Sequence, residues 1–141
     1  MDSLLSDAEL KILLRTIKTI AVVGASATLQ KPSHYVPAYL KEHGYTVIPI
    51  NPRSAAANER ILGEKTLSAI TEIEGSVDCI LIFRPSSEAL QIVKDSLFCK
   101  PRVVWMQEGI TDPVAAERAI KNGSKVVMDT CIMKECQRLF G

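Results

Sequence analysis

A glycine and several polar residues follow the first apolar run of the chain, in the stretch IAVVGASATLQKPSHYV at residues 20–36. A glycine at the end of a buried strand allows backbone N–H groups to approach a phosphate closely, as Gly24 would do here. Ser26, Ser33 and Lys31 would add hydroxyl groups and a positive charge near the start of a helix. The stretch therefore predicts a phosphate-binding turn, and a plain surface loop is the alternative.

The residues around this turn argue against an ordinary dinucleotide site. The dinucleotide fingerprint has three glycines and an acid after the second strand that binds the ribose hydroxyls. Here the turn has Gly24 alone, and the second loop reads Asn51-Pro52-Arg53 with no acid before Glu59. An arginine favours a ribose that carries a phosphate, because it supplies charge and paired donors. NADP and coenzyme A (CoA) both have such a ribose, and a solvated arginine is the alternative.

Polar residues also follow the third and fourth apolar runs. Arg84 and Pro85 come after the third run, and Gln107, Glu108 and Gly109 come after the fourth. If these runs are parallel strands, all five residues lie at the same edge of the sheet. Because the loops at this edge are polar in any α/β domain, a solvated surface is the alternative for each of them.

Groups that could catalyse a reaction are sparse. Neither a Ser–His–Asp order nor paired carboxylates occur, and with His34 and His43 as the only histidines and no C-x-x-C spacing, no metal site is predicted. Cys131 is the one reactive candidate, because the dipole of the helix predicted after it would favour the thiolate. A buried packing cysteine is the alternative. We therefore expect a protein that binds a ligand without catalysis.

These residues must be positioned by alternating strands and helices. Ser6 and Glu9 predict a capping box for a helix within residues 1–18 that covers the sheet, and Pro37 is predicted to lie in or beside the first turn of the next helix. The stretch from 51 to 65 is predicted to be a polar loop. The predicted strands are 20–24, 45–50, 77–83, 102–106 and 125–128, and the other predicted helices are 33–43, 86–98 with a serine cap, 112–123 and 131–140.

The alternation predicts an α/β fold, a three-layer Rossmann-like doubly wound sheet of about five parallel strands in a single domain over residues 1–141. Ligands bind such sheets beyond the carboxyl ends of the strands, where the strand order reverses. The formal net charge of +1 gives no sign of binding to nucleic acid or to a membrane surface. With no apolar run of membrane-spanning length and no leader pattern, the sequence predicts a cytoplasmic protein.

Six segments resemble those of the CoA-binding domain proteins, which are similar to the nucleotide-binding domain of the succinyl-CoA synthetase α subunit. The resemblance covers residues 17–140 and implies that CoA or an acyl-CoA binds across the strand ends. The synthetase's phosphorylated histidine lies in a domain outside this resemblance, so no synthetase activity is implied. The six segments are AVVGAS, KPSHYV, GYTVIPINPR, VDCILIFR, VVWMQEGI and VVMDTCI.

The resemblance also implies which residues bind the ligand. Thr130 stands where related sequences often carry a basic residue, and Pro37 stands where a stronger helix former is expected. Cys131 joins the predicted site as the thiol beside the expected path of the pantetheine arm. The matching residues are Gly24, Ala25, Ser26, Lys31, Pro32, Ser33, Asn51, Pro52, Arg53, Phe83, Arg84, Pro85, Met106, Gln107, Glu108 and Gly109.

Two other functions stay open at this point. One is a subunit of an NADP-dependent oxidoreductase, since Arg53 suits the ribose phosphate of NADP as well as that of CoA. The other is an interaction module that keeps the fold without its ligand. The sequence leaves a protein partner and the acyl group undefined.

Overall fold

A five-stranded parallel sheet lies at the centre of the part of the chain that this computed structural model describes, residues 5–141. Its strands run in the order β2-β1-β3-β4-β5, and every neighbouring pair is parallel. The predicted Rossmann-like α/β sheet is therefore confirmed, and the strand order reverses between β1 and β3. The strands are β1 Thr19–Val23, β2 Thr46–Ile50, β3 Cys79–Ile82, β4 Val103–Met106 and β5 Lys125–Val127.

Helices cover both faces of the sheet. Local sequence explains several of their starts: Ser6 and Glu9 form a capping box, and Asp112 caps a helix that has Pro113 in its first turn. Within residues 5–141 no helix combines the length and the apolar character that crossing a bilayer would need. The helices are α1 Asp7–Thr16, α2 Pro32–Glu42, α3 Pro52–Ala56, α4 Ala89–Ser96, α5 Pro113–Lys121 and α6 Ile132–Phe140.

Each strand contributes side chains to two separate hydrophobic cores. Along β3, Cys79 and Leu81 enter the core under α1, α2 and α6, whereas Ile80 and Ile82 enter the core under α4 and α5. Because successive side chains of a strand point to opposite faces, strands that are apolar throughout are buried on both sides. The result is the predicted arrangement of three layers.

Pro37 lies in the second turn of α2, beside the first turn, in agreement with the prediction. A proline inside a helix has no N–H to donate to the carbonyl four residues earlier, which here is that of Ser33. The Ser33 carbonyl instead accepts a hydrogen bond from the Ser26 N–H at 3.1 Å. The turn after β1 thus uses the acceptor that Pro37 leaves unpaired.

Two further predictions about local structure were wrong. The polar loop predicted from residue 51 contains helix α3, whose N–H groups at Arg53 and Ser54 donate to the side chain of Asn51. The serine cap predicted before α4 is also absent from the described hydrogen bonds, because Ser86 Oγ accepts instead from Thr111 N–H at 3.0 Å. Only the second difference depends on a residue distant in the sequence, because Asn51 caps α3 within its own segment.

Asp78 joins three chain segments at the amino-terminal edge of the sheet. Its Oδ2 accepts from the N–H groups of Lys18 and Thr19 at 2.7 and 3.1 Å, and its Oδ1 lies 3.3 Å from Arg102 Nε. Burial alone would raise the pKa of Asp78, but these donors together hold it below its ordinary value. The carboxylate therefore fixes the start of β1 beside β3.

We expect Asp78→Asn to lower the free energy of unfolding by about 1–3 kcal/mol, since the charged acceptor is lost. A carboxyl whose pKa is lowered in the folded state stabilises the fold above its unfolded-state pKa of about 3.9 and less below it. The difference in the free energy of unfolding between wild type and Asp78→Asn should therefore shrink as the pH falls below about 3.9, toward the lower pKa of the folded state. Urea unfolding at several pH values measures it, with the exposed Glu74→Gln as control. Equal effects of the two substitutions would contradict this role of Asp78.

Candidate functional site

Gly24 and Arg84 face each other where the strand order reverses. Gly24 follows β1 with a φ of +91°, and a Cβ atom built on it would lie 2.9 Å from Arg84 Cδ and 3.2 Å from Arg84 Cγ. Glycine is thus needed here both for its backbone conformation and for the space that the arginine stem occupies. The Gly24 N–H donates to the carbonyl of Ile50 at 2.9 Å, which ties the turn to β2.

The turn after Gly24 is held by its own hydrogen bonds. Thr28 N–H donates to Ser26 Oγ at 3.0 Å, and Ser26 N–H donates to the Ser33 carbonyl. The predicted phosphate-binding role of the Ser26 amide therefore meets a competing acceptor inside the turn. Among the residues described, the N–H groups of Ala25, Ala27 and Ser33 have no protein acceptor. Of these residues, Ala25 is fully buried, whereas Ser33 offers its N–H in the first turn of α2, where an anion could accept it.

Asn51 connects the second loop to this turn. Its Nδ2 donates to the Ala25 carbonyl at 2.8 Å, while its Oδ1 accepts from the first amides of α3. Asn51 thereby fixes the distance between the turn after β1 and the helix that carries Arg53. Asn51, a predicted ligand-binding residue, therefore uses its side chain to position two loops of the protein.

A cleft of about 600 Å³ opens at the point of strand reversal, and we call it the switch-point cleft. Lys31 and Arg53 line it, are exposed, and form no ion pair with any residue between 5 and 141. Arg84 is paired with Glu88 through two hydrogen bonds, Nε–Oε1 at 3.1 Å and Nη2–Oε2 at 2.9 Å. These bonds raise the pKa of Arg84 and lower that of Glu88. Two unpaired cations and one paired cation therefore surround the cleft.

A second cleft, of about 430 Å³, lies between α2 and α6, and we call it the α6 cleft. Lys31 lines both clefts, so they meet at this residue. Glu108 and Lys134 form an ion pair of 2.8 Å at this cleft, which raises the pKa of Lys134. Much of the lining is apolar and consists of Tyr35, Val36, Phe83, Ile110 and Met133.

Gln107 is the most buried polar side chain of the α6 cleft. It is 4% exposed, and its Oε1 accepts from the N–H of Ile132 at 2.8 Å, at the start of α6. Its side-chain nitrogen forms no hydrogen bond with the described residues. Gln107 thus holds the first turn of α6 in place and keeps one amide donor for the cleft.

The structure brings most of the predicted site residues to these two clefts. Five do not line them. Ala25 and Met106 are fully buried in the cores. Gly109 N–H donates to Asp129 Oδ1 at 2.6 Å. Pro85 is exposed and Ser26 is half-buried, each outside both clefts. Those that line a cleft are Gly24, Lys31, Pro32, Ser33, Asn51, Pro52, Arg53, Phe83, Arg84, Gln107, Glu108 and Cys131.

Sequence reasoning missed three charged residues that line the clefts. Glu88 and Asp95 face the switch-point cleft, and Lys134 faces the α6 cleft. Glu88 had a readable signal, because Arg84 and Glu88 are four residues apart in the helical turns that follow β3. No sequence signal marked Asp95 or Lys134, because each is one of several charged residues on its helix and the sequence does not show which of these faces a cleft.

Comparison with known proteins identifies the family. The profile of the CoA binding domain matches residues 18–137, nearly the whole chain. This chain belongs to the CoA-binding domain family. An uncharacterized protein of Bacillus subtilis (strain 168), YneT, is 35% identical over 127 residues, which are 90% of this chain and 91% of the relative.

Several solved structures share the fold of this chain. The structure of cell-free ID.343 from Thermus thermophilus is 39% identical with a TM-score of 0.91, covering 96% of this chain and 100% of the other. A hypothetical protein from Pyrococcus horikoshii OT3 is 29% identical with a TM-score of 0.92, covering 99% and 96%. A dinucleotide-forming acetyl-coenzyme A synthetase of Ca. Korarchaeum cryptofilum, at 24% identity and a TM-score of 0.68, shares the fold over 83% of this chain and 27% of its own.

We expect Gly44→Ala to destabilise this CoA-binding domain protein by about 1–3 kcal/mol, and Gly24→Ala by at least as much, because both residues have positive φ. A Cβ at Gly44 has no heavy atom within 4 Å, whereas one at Gly24 displaces Arg84. Only Gly24→Ala should therefore also weaken CoA binding. Thermal unfolding and calorimetric titration with CoA separate the two effects. Equal CoA affinities for the two folded variants would show that Arg84 needs no space at Gly24.

Proposed function

We propose that this protein binds CoA, or an acyl-CoA, across the carboxyl ends of the strands and catalyses no reaction on it. The observation that carries the proposal is the meeting of a cationic cleft and a largely apolar cleft at Lys31. CoA has the same division, with three phosphate groups at its nucleotide end and a pantetheine arm at the other. The ligand would therefore lie across both clefts with its diphosphate near Lys31.

The nucleotide end of CoA suits the switch-point cleft. Arg53 would bind the ribose phosphate, because a guanidinium pairs well with a phosphate and this one is exposed and unpaired among the described residues. The diphosphate would approach the Ser33 N–H in the first turn of α2, where unpaired amides and the helix dipole favour an anion. Lys31 and Arg84 would supply the remaining positive charge.

The pantetheine arm suits the α6 cleft. Val36, Phe83 and Ile110 offer apolar surface to its methylene and methyl groups. Its two amide groups need polar partners, and the side-chain nitrogen of Gln107 is a donor already fixed in position by the bond from Ile132. This cleft favours CoA over NADP, whose second nucleotide would place another ribose and a charged ring there.

The absence of catalysis is proposed because the side chains that could act as an acid or a base have other partners. The carboxylate of Glu108 is paired with Lys134. The ring of His34 is bonded through Nδ1 to the Ser26 carbonyl at 2.8 Å, which fixes that turn. The Glu108 carboxylate and the His34 ring thus each have a structural partner.

Calorimetry should rank CoA above dephospho-CoA and NAD last, because Arg53 offers a charge to the ribose phosphate and no acid follows β2. Arg53→Glu should lower the affinity for CoA by about tenfold or more, because a charge-assisted hydrogen bond worth roughly 1.5–3 kcal/mol is lost. It should also abolish the preference for CoA over dephospho-CoA. Arg118→Glu, an equal charge change on the exposed side of α5, is the control and should keep that preference.

Two results would contradict CoA as the ligand, and a third would contradict the role of Arg53. NAD or NADP bound as tightly as CoA would favour the oxidoreductase alternative, and no binding of any of these nucleotides would favour the interaction module. If Arg53→Glu leaves the preference for CoA over dephospho-CoA intact, the ribose phosphate binds elsewhere in the cleft.

A thiol response at Cys131 is the second part of the proposed function. Cys131 lines the α6 cleft as the residue that precedes α6, although its side chain is only 6% exposed. In CoA disulfide, the Cys131 thiolate would attack one sulfur atom and form a mixed disulfide. The S–S bond of the reagent would break, and one CoA thiolate would leave.

Incubation with CoA disulfide should add one CoA to the protein, reversibly by reductant, as intact mass spectrometry detects. The adduct should be lost in Cys131→Ser and kept in Cys99→Ser, since Cys99 is 1% exposed and its Sγ donates to the Ser96 carbonyl away from both clefts. An adduct on Cys99 or Cys136, or none while CoA binds normally, would assign Cys131 to packing alone.

A further inference from the structure

The Arg84–Glu88 pair lies inside the switch-point cleft with both of its charged groups partly exposed. The side chains of Arg84 and Glu88 are 49% and 45% exposed, and two hydrogen bonds join them. Gly24 leaves the space through which the Arg84 stem passes beside the turn after β1, and Arg84 lines the switch-point cleft. The cation packed against this turn therefore already has an anionic partner from its own chain.

This partner differs from the other carboxylate of the cleft. Asp95 also lines the switch-point cleft, but its Oδ1 accepts from Gln91 Nε2 at 2.8 Å and it forms no ion pair with the described residues. Glu88 occupies two donors of Arg84 in the forked geometry with which a guanidinium also binds a phosphate. Glu88 and a ligand phosphate would thus compete for the same two N–H groups.

We propose that Glu88 is a positioning residue that holds Arg84 at the strand reversal until the diphosphate of the ligand displaces it. This inference rests on the proposed function, because it takes the ligand to be a diphosphate. An exposed pair four residues apart is weak, so the ligand can break it at low cost. A phosphate bound to Arg84 would also meet the charge of Lys31, which lines the same cleft and forms no ion pair with Glu88.

The pair has two opposite effects on ligand binding, of which we take the competition to be the larger. The pair keeps Arg84 ordered beside the turn after β1, and it also reduces the positive charge that a ligand meets. Glu88→Gln removes the competing charge and keeps the length of the side chain, whereas Glu88→Asp keeps the charge. Arg84→Gln removes the group for which carboxylate and phosphate compete.

The test measures the affinity of the full chain for CoA and, separately, for inorganic pyrophosphate by calorimetry. Glu88→Gln should bind both ligands about two- to fivefold more tightly, the range that an exposed ion pair is worth. Glu88→Asp should stay closer to wild type than Glu88→Gln does. The matched charge change Asp95→Asn should give a smaller gain, and in Arg84→Gln the gain from Glu88→Gln should largely disappear.

Three outcomes would overturn the inference: weaker or unchanged binding in Glu88→Gln, an equal gain in Asp95→Asn, or an equal gain in the Arg84→Gln background.

CoA binding without this coupling between Glu88 and Arg84 would leave the proposed function intact. Pyrophosphate binding with the coupling, in a protein that does not bind CoA, would refute the proposed function and support the role of Glu88. If neither ligand binds, both ideas are wrong. Circular dichroism spectra of the variants confirm that each is folded.

Discussion

The contact between Gly24 and the stem of Arg84 determines how the candidate site is built. Reversal of the strand order between β1 and β3 leaves a gap at the edge of the sheet, because the chains leave these strands in different directions. Without a Cβ at Gly24, the stem of Arg84 lies directly against the turn after β1. Asn51 then holds the second loop against the same turn through the Ala25 carbonyl. Three loops from three strands are thus fixed relative to one another.

The fold could be predicted from the sequence because apolar strands and helix-capping residues are recognisable from neighbouring residues alone. The central strands are apolar on both faces, as Val22, Ile80 and Val104 illustrate, and such runs need no knowledge of distant residues. Asp112 and Pro113 likewise mark the start of α5 by their own chemistry. Of the two wrong predictions, α3 had a local signal in Asn51 and Pro52, a capping residue before a proline, whereas the serine cap depends on a tertiary partner. Nothing near Ser86 in sequence indicates that its hydroxyl binds the amide of Thr111.

The candidate site divides in the same way between local and distant information. The turn at Gly24 and the charge at Arg53 could be predicted, since each follows a strand and strand ends define the edge that binds ligands. The pairing of Glu108 with Lys134 and the bond from Ile132 to Gln107 join β4 to α6 across the sheet edge. They depend on how closely α6 approaches that edge. Sequence therefore indicated which residues line the clefts better than which of their groups lack a partner within the described chain.

Cationic side chains also gather at the opposite edge of the sheet, yet their surroundings give them a different meaning. Arg15 and Lys18 line a pocket of about 330 Å³ beside the ends of α1 and α2, and the Arg15 guanidinium lies 5.0 Å from the centre of the Phe140 ring. The carboxyl ends of helices carry partial negative charge, so cations there stabilise the helices themselves. At the carboxyl edge of the sheet, Lys31 and Arg53 instead lie beside the amino-terminal turns of α2 and α3. Helix dipole and side-chain charge have the same sign only at this edge, and this agreement distinguishes an anion site from a capped helix end.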